Sequence, residues 1–128
     1  MGTNYYTRAP ACENACAHCS REQYIHLGKV SAGWRFLHRA YRDHQPDGID
    51  WPVNDRPSWL RLVSLGPIED EYGQELSRAE FLARIDSMQG GIARDSARAR
   101  DLCGPGYDAG LRNDFTSEGY DFCDSDFS

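Results

Sequence analysis

The sequence contains no long hydrophobic run, and the mean hydropathy of the 128-residue chain is −0.69. No stretch approaches the roughly 20 apolar residues that a membrane-spanning helix needs, so we expect neither a membrane segment nor a membrane partner. Residues 1–6 also lack the apolar core of a secretory signal peptide. We therefore expect a protein of the cytoplasm.

Positive charge is scarce as well. The formal net charge is −6, and it divides into +3 over residues 1–44 and −9 over residues 45–128. Nucleic-acid binding usually depends on a strongly basic domain. The composition therefore disfavours nucleic acid as the main partner and leaves only a weakly basic N-terminal part.

A recognisable catalytic constellation is also missing, since no Glu stands in a spacing typical of zinc enzymes. Hydrophobic residues make up 40% of the chain, and Trp, Tyr and Phe together make up 12%. Aromatic side chains bury large areas, so a core can form, but it is thin. Small domains with thin cores often rely on a bound metal.

Metal-ligating residues, by contrast, are concentrated in the first third of the chain. Cys16 and Cys19 form a C-x-x-C step, and His26 and His38 follow. The two residues between the cysteines let both thiolates face one ion, and zinc prefers four sulfur or nitrogen ligands in a tetrahedron. Five cysteines without a signal peptide favour metal binding over disulfides. The sequence therefore predicts a structural zinc ion held by Cys16, Cys19, His26 and His38.

The spacing of the histidines supports the same site. The pattern predicts strands over Gln23–Val30 and Trp34–Tyr41, joined by a turn centred near Ala32. Such a hairpin places positions 26 and 38 directly opposite each other, with both imidazoles on one face. Four such ligands form a closed site, whereas a catalytic zinc keeps one position open.

Other residues compete for these ligand positions. Cys12 is able to replace one histidine, which gives the alternative set Cys12, Cys16, Cys19 and His26. His18, Cys103 and Cys123 are further candidates. For Cys103 and Cys123 we favour ordinary packing as small apolar residues.

The remaining elements predict an α+β fold: a small antiparallel sheet with a zinc knuckle, and two helices packed on one face. We expect a single domain over 1–128, with the knuckle and hairpin in 1–44 and the helices and a C-terminal strand in 45–128. The other predicted elements are a strand over Thr3–Arg8, a loop over 42–57, a short helix over Pro57–Val63, a turn at Asp70–Gly73, a helix after the capping box Ser77–Glu80, a further helix over Ile92–Leu102 and an edge strand over Tyr120–Phe127.

Several motifs together resemble a family. They are the start Gly2–Tyr6, the C-x-x-C knuckle, the segment His26–Trp34 with the later His38, and the end Asp126–Ser128. This combination resembles small, uncharacterised zinc-binding proteins encoded by bacteriophages and prophages, many of them from actinobacterial hosts. The resemblance implies Cys16, Cys19, His26 and His38 as the common ligand set, with Cys12 as an extra cysteine of this chain. The family has no established activity to carry over.

We therefore expect a non-catalytic phage accessory protein in the host cytoplasm, stabilised by structural zinc, that binds a host or phage protein. A closed metal site and a charge-split surface favour this interpretation. Two alternatives stay open. One is a zinc-ribbon-like nucleic-acid binder that uses Lys29, Arg35 and Arg39 of the hairpin. The other is a metal-dependent hydrolase or nuclease with an open zinc position.

Overall fold

The computed structural model describes residues 2–10, 22–31, 33–46, 48–92 and 115–124. Most of the predicted helix Ile92–Leu102 and the end of the predicted C-terminal strand lie outside these ranges. So do five candidate metal ligands, namely Cys12, Cys16, His18, Cys19 and Cys103.

The described residues form a seven-stranded sheet and two helices, which confirms the α+β class. In chain order the elements are β1 (Gly2–Pro10), β2 (Glu22–Ser31), β3 (Leu37–Arg39), α1 (Arg56–Val63), β4 (Ile68–Asp70), β5 (Glu75–Leu76), α2 (Arg78–Ser87), β6 (Phe115–Ser117) and β7 (Tyr120–Cys123). The order across the sheet is β5-β4-β1-β2-β3-β7-β6. Neither described helix is both long and apolar enough to cross a membrane.

The prediction of a purely antiparallel sheet is wrong, because β3 and β7 run parallel. The prediction of an edge strand near the C-terminus is also wrong: β7 lies between β3 and β6, and its Phe122 and Cys123 are fully buried. Strands from the second part of the chain flank both sides of the β1–β2–β3 group. The two predicted parts, 1–44 and 45–128, therefore share one sheet.

A β-bulge interrupts the long β1–β2 ladder. Tyr5 pairs with Gly28 and Tyr6 with His26, so Leu27 has no Cα partner in β1. Gly28 has a φ of 157°, and a Cβ atom there would overlap the carbonyl oxygen of Leu37 and the ring of Phe36. An extra residue of this kind shifts the alternation of side chains between the two faces of a sheet. Ile25 and Leu27 point into the core and His26 to the opposite face, and beyond the bulge Gly28 is again on the core side, where it pairs with Tyr5.

Both helices begin at capped positions. In α1 the Asp55 side chain accepts a hydrogen bond from the Ser58 backbone N–H at 2.9 Å, and the Ser58 hydroxyl bonds back to the Asp55 backbone N–H. In α2 the Ser77 hydroxyl accepts from the Glu80 N–H at 3.1 Å, which confirms the predicted start of this helix. Such caps satisfy N–H groups that have no partner inside the helix.

The core lies between the helices and one face of the sheet, as the sequence predicts for two helices on a single face. Trp59 of α1 contacts Phe81 of α2 and Phe36 before β3, and Phe81 contacts Tyr5 of β1. The Trp59 indole N–H donates a hydrogen bond to the Leu27 carbonyl at 3.0 Å. The aromatic residues of this thin core thus bind α1 to the bulge in β2.

Candidate functional site

His26 lies on the sheet face opposite the helices, called here the outer face and defined by Asn4, Tyr6, Tyr24, His26 and Glu69. Its Nε2 is 2.9 Å from the Asn4 side-chain oxygen. A carboxamide oxygen only accepts, so Nε2 carries the hydrogen, and Nδ1 is the basic nitrogen of the neutral ring. The Tyr6 ring lies 5.3 Å from the imidazole.

His38 lies on the other face, in the core. Its ring stacks on Phe122 at 4.7 Å and meets Trp59 edge-on at 4.5 Å, and it is fully buried. Nδ1 donates to the Asp121 carbonyl at 3.0 Å, whereas the buried Nε2 has no hydrogen-bond partner among the described residues. Burial lowers the pKa of His38 to about 3, so the ring is neutral at physiological pH.

The predicted juxtaposition of the two histidines is wrong. His38 stands opposite Gly28 in the β2–β3 ladder, not opposite His26. The register of the β2–β3 ladder separates the two residues, and the bulge at Leu27–Gly28 places them on different faces, with His26 on the outer face and His38 in the core. The described residues contain no group of three His, Cys, Asp or Glu side chains placed to hold a metal. Cys16 and Cys19 lie outside those residues, so the zinc site stays a prediction.

Cys123 packs in the interior of β7 and is fully buried. This burial fits the role that the sequence favours for it, a small packing residue.

The arginines of the predicted basic hairpin make contacts within the chain. The Arg35 guanidinium donates to the Gly119 carbonyl, and Arg39 donates to the Ala40 carbonyl at 3.0 Å while it stacks on the Tyr41 ring. Three further arginines stack on aromatic rings: Arg42 on Phe115, Arg56 on Tyr120 and Arg61 on Trp51. These contacts occupy guanidinium faces that a nucleic acid would otherwise engage.

A pocket of about 380 Å³ opens beside β1 and β4, and we call it the acid–tyrosine pocket. Its volume is in the range of small-ligand sites. Two aromatic side chains and three carboxylate residues dominate its wall. The lining residues are Tyr6, Tyr24, Glu69, Asp70, Glu71 and Gly73.

Backbone pairing explains how these residues meet. In the β1–β4 ladder Tyr5 faces Asp70 and Tyr6 faces Glu69. Asp70 Oδ1 accepts the N–H groups of Tyr72 and Gln74, both at 2.9 Å, and so shapes the turn that the sequence predicts at Asp70–Gly73. This turn fixes the chain where it leaves β4, directly beside the pocket.

Glu71 extends the contact with β1 beyond the end of the ladder. Its backbone N–H donates to the Asn4 carbonyl at 2.9 Å, and its side-chain Oε1 accepts the Asn4 N–H, also at 2.9 Å. Asn4 in turn contacts His26. A continuous set of hydrogen bonds therefore runs from the pocket to the candidate metal ligand on β2.

The pocket carries an excess of negative charge. Glu69 and Glu75 are direct cross-strand partners in the β4–β5 pair, and one cation, Arg8, lies 3.7 Å from Glu69. Like charges placed opposite each other destabilise a sheet. Burial and the nearby Glu71 carboxylate raise the pKa of Tyr6. The electrostatics of the pocket therefore favour a cationic ligand.

Sequence reasoning interprets Asp70 and Glu71 as turn residues and does not connect them with a site. Glu71 and Asn4 are 67 positions apart along the chain, so no local pattern links them. The sequence shows two tyrosines in the first two strands and an acidic turn as separate features. Only the β1–β4 pairing brings them together into one pocket.

Comparison with protein families, with curated proteins and with solved structures gave no match. The resemblance to phage proteins is therefore a proposal.

Proposed function

We propose that this chain is a non-catalytic, zinc-stabilised phage accessory protein that binds a host or phage protein through its outer face. The observation that carries the proposal is a pair of exposed tyrosines beside the acid–tyrosine pocket. Tyr24 is 60% exposed and Tyr72 is 76% exposed. Among the described residues these two, with Leu65, are the exposed large hydrophobic side chains.

Tyrosine is a frequent anchor at protein interfaces, because it offers a large rigid apolar surface and a polar tip at low entropic cost. Here Tyr24 of β2 lines the pocket, and Tyr72 lies in the turn after β4, between the lining residues Glu71 and Gly73. A concave site with carboxylates in its wall and two such anchors close by in the chain has the layout of a docking surface.

The zinc component of the proposal concerns the connection between β1 and β2, which contains Cys16 and Cys19. His26 fits a ligand role, since its Nε2–H bonds to the Asn4 oxygen and metal-bound histidines usually donate their second nitrogen in this way. His38 is enclosed by core aromatics on the other face. These positions favour the alternative set Cys12, Cys16, Cys19 and His26 over the set that includes His38.

The two alternative functions receive less support. A nucleic-acid binder would use Arg35 and Arg39, and both guanidinium groups already donate hydrogen bonds to backbone carbonyls of the chain. A hydrolase needs a zinc ion with an open position, whereas three thiolates and one imidazole would complete a closed tetrahedron.

Quantitative affinity capture from host lysate tests the proposal. We expect one protein to be recovered in near-stoichiometric amount by the wild type and to be lost with the double variant Tyr24→Ala/Tyr72→Ala. Leu65→Ala is the matched control, since it removes the third exposed apolar side chain away from the pocket. Equal recovery by all three proteins would contradict a docking role for the outer face, and recovery of nucleic acid alone would favour the alternative.

A further inference from the structure

We infer that the acid–tyrosine pocket binds a single cationic side chain, a lysine or arginine from a basic segment of the partner. This inference rests on the proposed function and specifies its chemistry. The pocket would then select the partner by its positive charge, and the exposed tyrosines would supply apolar contact area around it.

The walls of the pocket suit an organic cation. Tyr6 and Tyr24 form an edge-to-face pair with ring centroids 6.5 Å apart, and both line the cavity. The faces of aromatic rings attract ammonium and guanidinium groups. A cation placed against these rings would lie beside the carboxylates of Glu69 and Glu71, which line the same cavity.

The carboxylates are held in position before any ligand arrives. The Asn4 N–H holds Glu71, the N–H groups of Tyr72 and Gln74 hold Asp70, and Arg8 lies near Glu69. Binding therefore costs little ordering of these side chains, and preorganisation of this kind favours affinity. The same contacts make a bare metal ion a poorer fit, since backbone donors already use carboxylate oxygens that a hard cation would need.

Charge repulsion within the site gives a cation a second reason to bind. Glu69 faces Glu75 across the β4–β5 pair, and Glu71 follows in the adjoining turn. Arg8 is the one cation that forms an ion pair with this group among the described residues. A ligand cation would relieve the remaining repulsion, and charge complementarity of this kind selects partners and speeds their association.

Nuclear magnetic resonance titration of the full chain tests the inference, with three probes of similar size. N-acetyl-lysine methylamide and N-acetyl-arginine methylamide carry the cation, and N-acetyl-norleucine methylamide provides the same aliphatic chain without charge. We expect the two cationic probes to shift the amide signals of Tyr6, Tyr24 and Gly73, with affinity that falls as salt is added. Norleucine should leave those signals in place.

Two charge-neutralising variants sharpen the test. Glu71→Gln keeps an oxygen for the Asn4 N–H but removes the charge, and we expect it to weaken the cationic probes by about two- to fivefold. Glu80→Gln makes the same change on α2, outside the pocket, and should bind like the wild type. Equal binding by norleucine, or an unchanged affinity in Glu71→Gln, would overturn the inference.

The outcome also separates this inference from the proposed function. A partner that is lost with Tyr24→Ala/Tyr72→Ala but binds Glu71→Gln with the wild-type affinity would uphold the docking face and overturn the cation pocket. Cationic probes that bind as expected, in a chain that captures no protein, would uphold the pocket chemistry as a site for small amines. That result would overturn the protein partner.

Discussion

The indole nitrogen of Trp59 donates a hydrogen bond to the Leu27 carbonyl oxygen, 3.0 Å away, at the residue where β2 bulges. Both residues are fully buried, so water cannot replace this bond. It joins α1 to the strand whose bulge decides which face His26 occupies. The packing of the helix and the geometry of the outer face are thus connected through one buried contact.

Replacement of Trp59 by Phe should lower the free energy of unfolding by about 1–3 kcal/mol, because it removes the buried indole donor to the Leu27 carbonyl. Trp51→Phe is the matched control. Its indole donates to the Ser58 carbonyl at 3.2 Å from a partly buried position, so solvent can replace it and the loss should stay below about 1 kcal/mol. Urea denaturation of both variants measures the difference. Equal losses would show that the Trp59 bond contributes no specific stability.

Gly28→Ala should destabilise the protein by about 1–3 kcal/mol. The new methyl group would overlap the Leu37 carbonyl and the Phe36 ring, and the φ of 157° is unfavourable for alanine. Gly90→Ala is the control, since its added Cβ meets open space, and its effect should stay within about 0.5 kcal/mol. Thermal unfolding compares the two, and an unchanged midpoint for Gly28→Ala would mean that the strand relaxes without cost.

The sequence predicts the local elements well and the long-range pairings poorly. Periodicity and capping locate β1, β2, both helices and the turn at Asp70–Gly73, because these signals lie within a few neighbouring residues. The predicted strand Trp34–Tyr41 is shorter in the structure, where β3 spans Leu37–Arg39 and isolated bridges hold Trp34 and Tyr41. The parallel β3–β7 pair depends on residues far apart in the chain.

The candidate site shows the same limit. A regular hairpin predicts that His26 faces His38, but one extra residue at Leu27 reverses the direction of every preceding side chain in β2. A bulge of this kind leaves a glycine as its only sequence mark, and Gly28 is also compatible with an unbulged strand. The pocket needs the β1–β4 pairing, which no local pattern contains.

Acid should destabilise the protein partly through His38. The pKa of this histidine is lowered from 6.5 to about 3 by burial, so the unfolded chain takes up a proton at a higher pH than the folded protein. The stability that the neutral ring contributes is complete above pH 6.5 and is lost as the pH falls toward 3. The free energy of unfolding should fall by up to about 1.4 kcal/mol per pH unit in this window through this residue alone.

Comparison of variants isolates this contribution from that of the carboxylates. His38→Phe removes the titrating ring from the aromatic core, and its stability should vary less steeply between pH 6.5 and 3 than that of the wild type. His44→Gln, which replaces an exposed histidine, is the control variant. Parallel pH profiles for the wild type and His38→Phe would show that the His38 ring does not remain neutral.

The zinc proposal makes a prediction that distinguishes the two histidines. Protein prepared without chelators should contain one equivalent of zinc. Cys16→Ser and Cys19→Ser should each greatly weaken the zinc affinity, because each removes a thiolate ligand. His26→Gln should also lose metal, whereas His38→Phe should keep it, because His38 is enclosed by core aromatic residues on the other face of the sheet. Asn4→Ala, which removes the acceptor of the His26 Nε2–H, should weaken zinc affinity by about 10- to 100-fold.

Competition with a chromogenic chelator measures each affinity, and cobalt substitution reports the thiolate ligands in the absorption spectrum. Zinc retained by His26→Gln but lost by His38→Phe would contradict the ligand set chosen here, and a protein that keeps its melting temperature after replacement of both Cys16 and Cys19 would show that no metal stabilises the fold.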